Sequence, residues 1–111
     1  MSENELNIVI LTLVSGEEVI TNLKDHFEEV NGVKQKVCYN MVYPFTVEEI
    51  GTELNNEVGV AFKPWKKFSC DTSFLIGYDK IINMCAPLGS LTDEYKKAVD
   101  GLLKTLAEEQ Q

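Results

Sequence analysis

The chain has 111 residues, a formal net charge of -8, 44% hydrophobic and 25% charged residues, three cysteines and one histidine. That length holds one domain with a core large enough to fold without disulfides or a structural metal, and the composition excludes a disordered or fibrous class. The acidic balance opposes non-specific attachment to nucleic acid or to an anionic membrane, so any such contact has to be local.

Cys38, Cys70 and Cys85 form no CxxC pair. They read as reduced, buried thiols of a reducing compartment rather than as disulfide or zinc ligands. The opening MSENEL lacks the basic end and apolar run of a secretory signal, and no segment approaches the length that spans a bilayer. A cytoplasmic protein without a membrane partner is expected.

In chain order, residues 1–6 are polar and predict a loose start. Asn7 to Val14 then holds Ile8, Val9, Ile10, Leu11, Leu13 and Val14, too apolar for a strand with one wet face. This strand should lie deep in a sheet, with its neighbours folded over it. Ser15-Gly16 supplies a hairpin turn, with Glu17 and Glu18 keeping it in water. Val19, Thr21 and Leu23 next alternate with Ile20, Asn22 and Lys24, the period of a half-buried strand that can continue through Asp25, His26 and Phe27 to Val30.

Asn31-Gly32 signals a type I′ turn. The strand after it runs from about Gln35 to Phe45, with Val37, Tyr39, Met41, Tyr43 and Phe45 on one face and Cys38, Asn40 and Val42 on the other. Pro44 removes a backbone donor and marks an edge or a bulge. Thr46 to Leu54 fits either a strand extension or a helical turn broken by Gly51, and Asn55-Asn56 marks a turn. Val58 to Phe62 and Phe68 to Ile76 read as strands divided by Lys63 to Lys67; Gly77-Tyr78-Asp79 is a turn, and Lys80 to Ala86 a last strand.

From Leu91 the period changes. Leu91, Tyr95, Ala98, Val99, Leu102, Leu103 and Leu106 share one helical stripe, with Ser90 as the cap and Asp93 completing a capping box. The pattern as a whole predicts a mainly β protein: a small, strongly bent antiparallel sheet or barrel over residues 7–86, followed by one amphipathic helix over 90–109.

The hairpin resembles the first signature of the Sm-like (LSm) proteins, an apolar alternation followed by a turn glycine, an apolar residue three on and a leucine seven on. Here those places hold Ile8 to Leu13, Gly16, Val19 and Leu23, while Thr21 stands where the family has a second glycine. Leu75, Ile76, Gly77 and the run Lys80 to Met84 loosely follow the second signature, with Ile76 at the family's arginine. The succession LVSGEEVI, YPFTV, Pro-Trp and a closing apolar strand before an acidic helix is also similar to the short Sm-like proteins carried by marine phages.

This resemblance implies an Sm-like (SH3-like) barrel, a homo-oligomeric ring closed by edge-strand pairing, and putting single-stranded RNA on its rim in the cytoplasm of a host cell. The implied edges flank the Lys63 to Lys67 break and lie along the last strand, with Ile81, Asn83 and Cys85 at the subunit interface. The helix, which the family carries before its first strand, would cover an open end of the barrel or reach a neighbour.

Family members hold RNA through an Asp-x-x-Met-Asn loop and an Arg-Gly pair. Counted from Gly16, the loop falls on Phe27 to Asn31, with Asn31 the matching residue and Phe27 at the acidic place, while the second signature puts the pair's glycine at Gly77. Phe27 can be a stacking ring, or a core phenylalanine before a turn asparagine. Lys63, Trp65, Lys66 and Lys67, with Phe62 and Phe68, are the basic cluster interleaved with aromatics. They suit phosphate and base contact, or else a crossing loop whose tryptophan plugs the core and whose lysines keep an edge soluble.

Neighbouring Asp25 and His26 point to opposite strand faces, and the chain shows no nucleophile elbow, Gly-rich phosphate loop or metal-ligand spacing. No catalysis, cofactor or metal is expected. A second reading keeps the barrel but gives it a protein partner, docked through the ring or the acidic C-terminal helix, and no nucleic acid.

Overall fold

The computed structural model describes residues 6–52 and 57–109, and their side chains except at 50–52, 57–58 and 109. Six strands precede one helix: β1 (Ile8–Leu13), β2 (Glu18–Val30), β3 (Val33–Thr52), β4 (Glu57–Pro64), β5 (Ser73–Ile76), β6 (Ile81–Cys85) and α1 (Gly89–Glu109). They form an antiparallel sheet in the order β4-β3-β2-β1-β6. β4 pairs with β3 over Phe45 to Thr52 and β5 over Tyr39 to Val42, while β2 pairs with β3 from Val33 to Phe45. The two short strands therefore lie end to end along one edge. The protein is mainly β, a small, strongly bent antiparallel half-barrel of Sm-like (SH3-like) type with one C-terminal amphipathic helix.

Apolar residues on both faces of β1 have separate destinations. Val9, Leu11 and Leu13 pack inside the curl with Val19, Leu23, Met41 and Ile76, whereas Ile8 and Ile10 join Ile20, Phe45 and Tyr95 on the face that α1 covers. Two cores thus share one central strand. Gly16 has the positive φ of 93° that its turn requires, and Asn31 and Gly32, at φ 53° and 80°, close the β2–β3 hairpin as a type I′ pair.

β2 departs from the half-buried expectation, because every residue from Val19 to Leu23 is buried. The face left for water by simple alternation is covered by α1.

β3 departs in another way. Ile20 lies opposite Phe45 and Asn22 opposite Val42, so β3 spends three steps where β2 spends two. The extra residue is a bulge at Tyr43-Pro44, where Tyr43 takes a φ of 51°. Met41 accordingly faces the inner core and Phe45 the helix side, although strict alternation would place them together. Pro44 is tolerated because a bulge asks it for no ladder donor.

Backbone groups released by this bulge find partners from elsewhere. The Tyr95 hydroxyl accepts the Asn22 N–H at 3.0 Å and stands 2.8 Å from the Tyr43 carbonyl and 3.0 Å from that of Val42 as donor. Thr21 Oγ1 adds a bond to the Val42 carbonyl at 2.9 Å. Thr21 thereby ties the bend through its side chain. The Tyr43 N–H donates to Thr72, and the Pro44 carbonyl accepts from Trp65 at 2.9 Å, so residues 65–72 hang on the bulge as an excursion between β4 and β5.

Two boundaries are corrected, and a third that had two readings takes one of them. The strand expected from Phe68 begins only at Ser73, since the excursion occupies the preceding residues. The strand extension is the alternative realised after Thr46, with β3 reaching Thr52; residues 53–54 and the Asn55-Asn56 turn lie outside the described residues, as do residues 1–5. α1 starts at Gly89, with Thr92 N–H bonded to the Leu88 carbonyl at 3.0 Å, which leaves Ser90 inside the first turn instead of at the cap. On the helical stripe, Leu103 is exposed. The expectation of buried thiols is also overturned: Cys70 lies in the excursion and Cys85 on an edge strand, and both are exposed.

Burial pushes the Tyr95 phenol above its ordinary range, against the Asn22 N–H, which favours the phenolate. An unfolded chain releases that proton at about pH 10 while the folded chain keeps it, so this stabilisation is whole below about pH 10 and is lost as the pH rises further. Tyr95→Phe strands the Asn22 N–H and the Tyr43 carbonyl and should cost about 1–3 kcal/mol in urea unfolding at neutral pH. Above about pH 10, the variant's stability should fall less steeply than that of the parent.

Candidate functional site

The inner face of the half-barrel continues onto the β2–β3 hairpin. Outward from the core pair Leu23 and Met41, the opposed residues are Asp25 with Tyr39, Phe27 with Lys36, and Glu29 with Lys34. A second register shift after His26 leaves Val37 as an extra residue in β3 and brings Lys36 opposite Phe27. Without it Phe27 would face a valine.

This geometry builds a strip of rings and lysines. Lys34 Nζ lies 5.0 Å from the centre of the Phe27 ring, and Lys36 Nζ lies 5.2 Å from Tyr39 and 5.8 Å from Tyr78. Tyr39 and Tyr78 meet edge to face at 4.9 Å. Asp25 Oδ1 sits 3.0 Å from Lys36 Nζ, and that bond holds the lysine above its ordinary pKa. Lys36 is therefore a fixed cation. Phe27 and Tyr78 are each 43% exposed, so both rings reach the surface beside the lysines.

The residues singled out from sequence fall at different places. Phe27 belongs to the strip and is not a core residue. Asn31 sits at the hairpin tip, its positive φ serving the turn, and Gly77 lies between β5 and the 3-10 turn Tyr78–Lys80, reaching the strip only through Tyr78. Lys34, Lys36, Tyr39 and Tyr78 were missed. Their signal was register, because only the bulge at Val37 aligns the lysines with the rings.

The Lys63 to Lys67 segment is more structural. Trp65 packs against the inner core and meets Phe74 edge to face at 5.6 Å, as a plugging tryptophan would. Lys63 pairs with Glu48 at 3.1 Å, and Lys66 lies 4.4 Å from the centre of the Trp65 ring. Lys67 is exposed beside Phe68. This segment joins the strip only indirectly, through β5, which carries Phe74 and precedes Tyr78.

β6 pairs with β1 on one side, and its other edge faces no strand among the described residues; the same holds for the outer edges of β4 and β5. Asn83 and Cys85 are exposed along β6, whereas Ile81 turns inward onto the core. Exposed Ile82 and Met84 take its place on the surface.

His26 bonds Glu28 at 3.2 Å and has no part in an acid–base pair with Asp25. Among the described residues no three His, Cys, Asp or Glu side chains gather as metal ligands, and no helix is long and apolar enough to cross a membrane.

If Trp65 is a plug, Trp65→Ala should lose about 2–4 kcal/mol of unfolding free energy, towards the lower end of core aromatic truncations because the residue is only partly buried. Lys66→Ala should stay within about 0.5 kcal/mol. Urea unfolding of both variants checks the contrast.

Comparison with curated proteins finds no match. Residues 6–100, which take in all six strands and the start of α1, match the model described as "Family of unknown function (DUF6561)", and the chain belongs to that family.

Proposed function

We propose that the protein is a non-catalytic Sm-like barrel that assembles with copies of itself into a closed ring and holds single-stranded RNA. The observation carrying this reading is the strip itself, with Phe27, Tyr39 and Tyr78 interleaved with Lys34 and Lys36 on an open face. Rings accept any base by stacking, and lysines meet the phosphates between them.

Two edges without a strand partner among the described residues, at opposite ends of a curled sheet, support assembly, since pairing one with the other of the next copy satisfies both and can close a cycle. Assembly also answers the acidic balance. One strip on a chain of net charge -8 attracts a polyanion weakly, whereas strips repeated around a ring engage the same strand together.

The test is fluorescence anisotropy with a labelled oligouridine. Binding should weaken steeply with added salt, and Phe27→Ala or Tyr78→Ala should each cost about 1–3 kcal/mol, the worth of one stacked base. Lys36→Ala should reduce the salt slope as well as the affinity. No binding at low salt, or binding indifferent to all three changes, would overturn the reading.

A second reading is favoured by the net charge alone: the same assembly docks a protein and leaves RNA free. It predicts an oligomer that binds no oligouridine even at low salt.

A further inference from the structure

Phe68 is the most exposed large apolar side chain described, at 96%, and stands beside Lys66 and Lys67 in the excursion between β4 and β5. A bare phenylalanine between cations invites a cover that is apolar at its centre and acidic at its edge. The same chain carries such a surface. A groove of about 460 Å³ is lined by Ile10, Ile20, Val47, Leu88 and Leu91 and edged by Glu18, Glu49 and Glu94. That is about three times the ~150 Å³ that accommodates a benzene ring in a protein interior. Leu88 is 78% exposed, so the groove is open from that side.

The loop cannot fill the groove of its own chain. Pro64, Lys67 and Ser69 share a cavity with Leu102, Thr105 and Leu106, towards the far end of α1, whereas Leu88, Leu91 and Glu94 lie at its start. Leu91 and Leu102 are separated by about 16 Å of helix rise. Complementary patches held at opposite ends of one helix are satisfied between copies, and in a closed ring they meet head to tail.

We propose that the Lys66–Phe68 loop of each copy docks in this groove of the next, with Phe68 among the apolar side chains and the two lysines facing Glu18, Glu49 and Glu94. This contact rests on the ring reading and gives it a second set of interactions. Antiparallel pairing of β5 with β6 of a second copy would place the chain that precedes Ser73 against the chain that follows Cys85. Those segments are the loop and the entrance to the groove at Leu88. Glu94 is shared with Lys97 at 3.4 Å, so Glu18 and Glu49 are the acceptors that matter most.

Sedimentation equilibrium of the full-length chain over a range of concentrations tests the contact. Phe68→Asp should raise the apparent dissociation constant about thirtyfold, as loss of an interface anchor does. Lys66→Glu with Lys67→Glu should weaken assembly, Glu18→Lys with Glu49→Lys should do the same, and the four changes together should restore it. After replacement of the native cysteines by serine, Phe68→Cys with Leu88→Cys should give covalent multimers on oxidation. An oligomer indifferent to Phe68→Asp, or weakened by each charge reversal without restoration, would overturn the docking and leave the ring standing. A parent chain that stays monomeric at every concentration would overturn both.

Discussion

One hydroxyl group joins the helix to the bend of the sheet. The Tyr95 oxygen receives the Asn22 N–H and faces the Tyr43 and Val42 carbonyls at the point where β3 has a residue to spare. A buried bulge without those bonds would leave polar backbone in an apolar layer, at a cost comparable to a sizeable part of a small domain's net stability. The bulge and the helix therefore depend on each other. The bulge sends Met41 inward and Phe45 outward, and the outward core it creates, Phe45 with Ile20 and Ile10, is what α1 covers.

Much of this was legible in the residues, and the exceptions share a cause. Strands, turns and the helix follow from period and from Gly16, Asn31-Gly32 and Pro44, which act locally. The doubly apolar β1 also announced its central place. What alternation could not reveal was the phase of β3, because two extra residues, one at Tyr43-Pro44 and one at Val37, each reverse the faces that follow. A period of two has no means of marking where it slips. For the same reason Val19 to Leu23 read as half-buried: their second face is covered by a helix some seventy residues away, as the Asn22 to Tyr95 bond shows.

The candidate site failed to appear in sequence for that reason too. Counting from the turn glycine reached Phe27, but its lysine partners come from the opposite strand in a shifted register. The more conspicuous Lys63 to Lys67 cluster largely serves the fold, through Trp65 in the core and Lys63 on Glu48. Net charge describes the average surface, while recognition depends on where a few cations are held. Here Lys36 is paired with Asp25 and framed by two tyrosines, so cations and rings are brought together on one face of an acidic protein.

The dependence of the bend on α1 is tested most directly by native-state amide exchange at Asn22. If the Tyr95 hydroxyl secures that N–H, Asn22 should exchange only through global unfolding, with the protection of the central amides of β1. Exchange at Asn22 as free as at the hairpin tip around Asn31, while β1 stays protected, would mean that the helix lifts away from an intact sheet and would contradict the account.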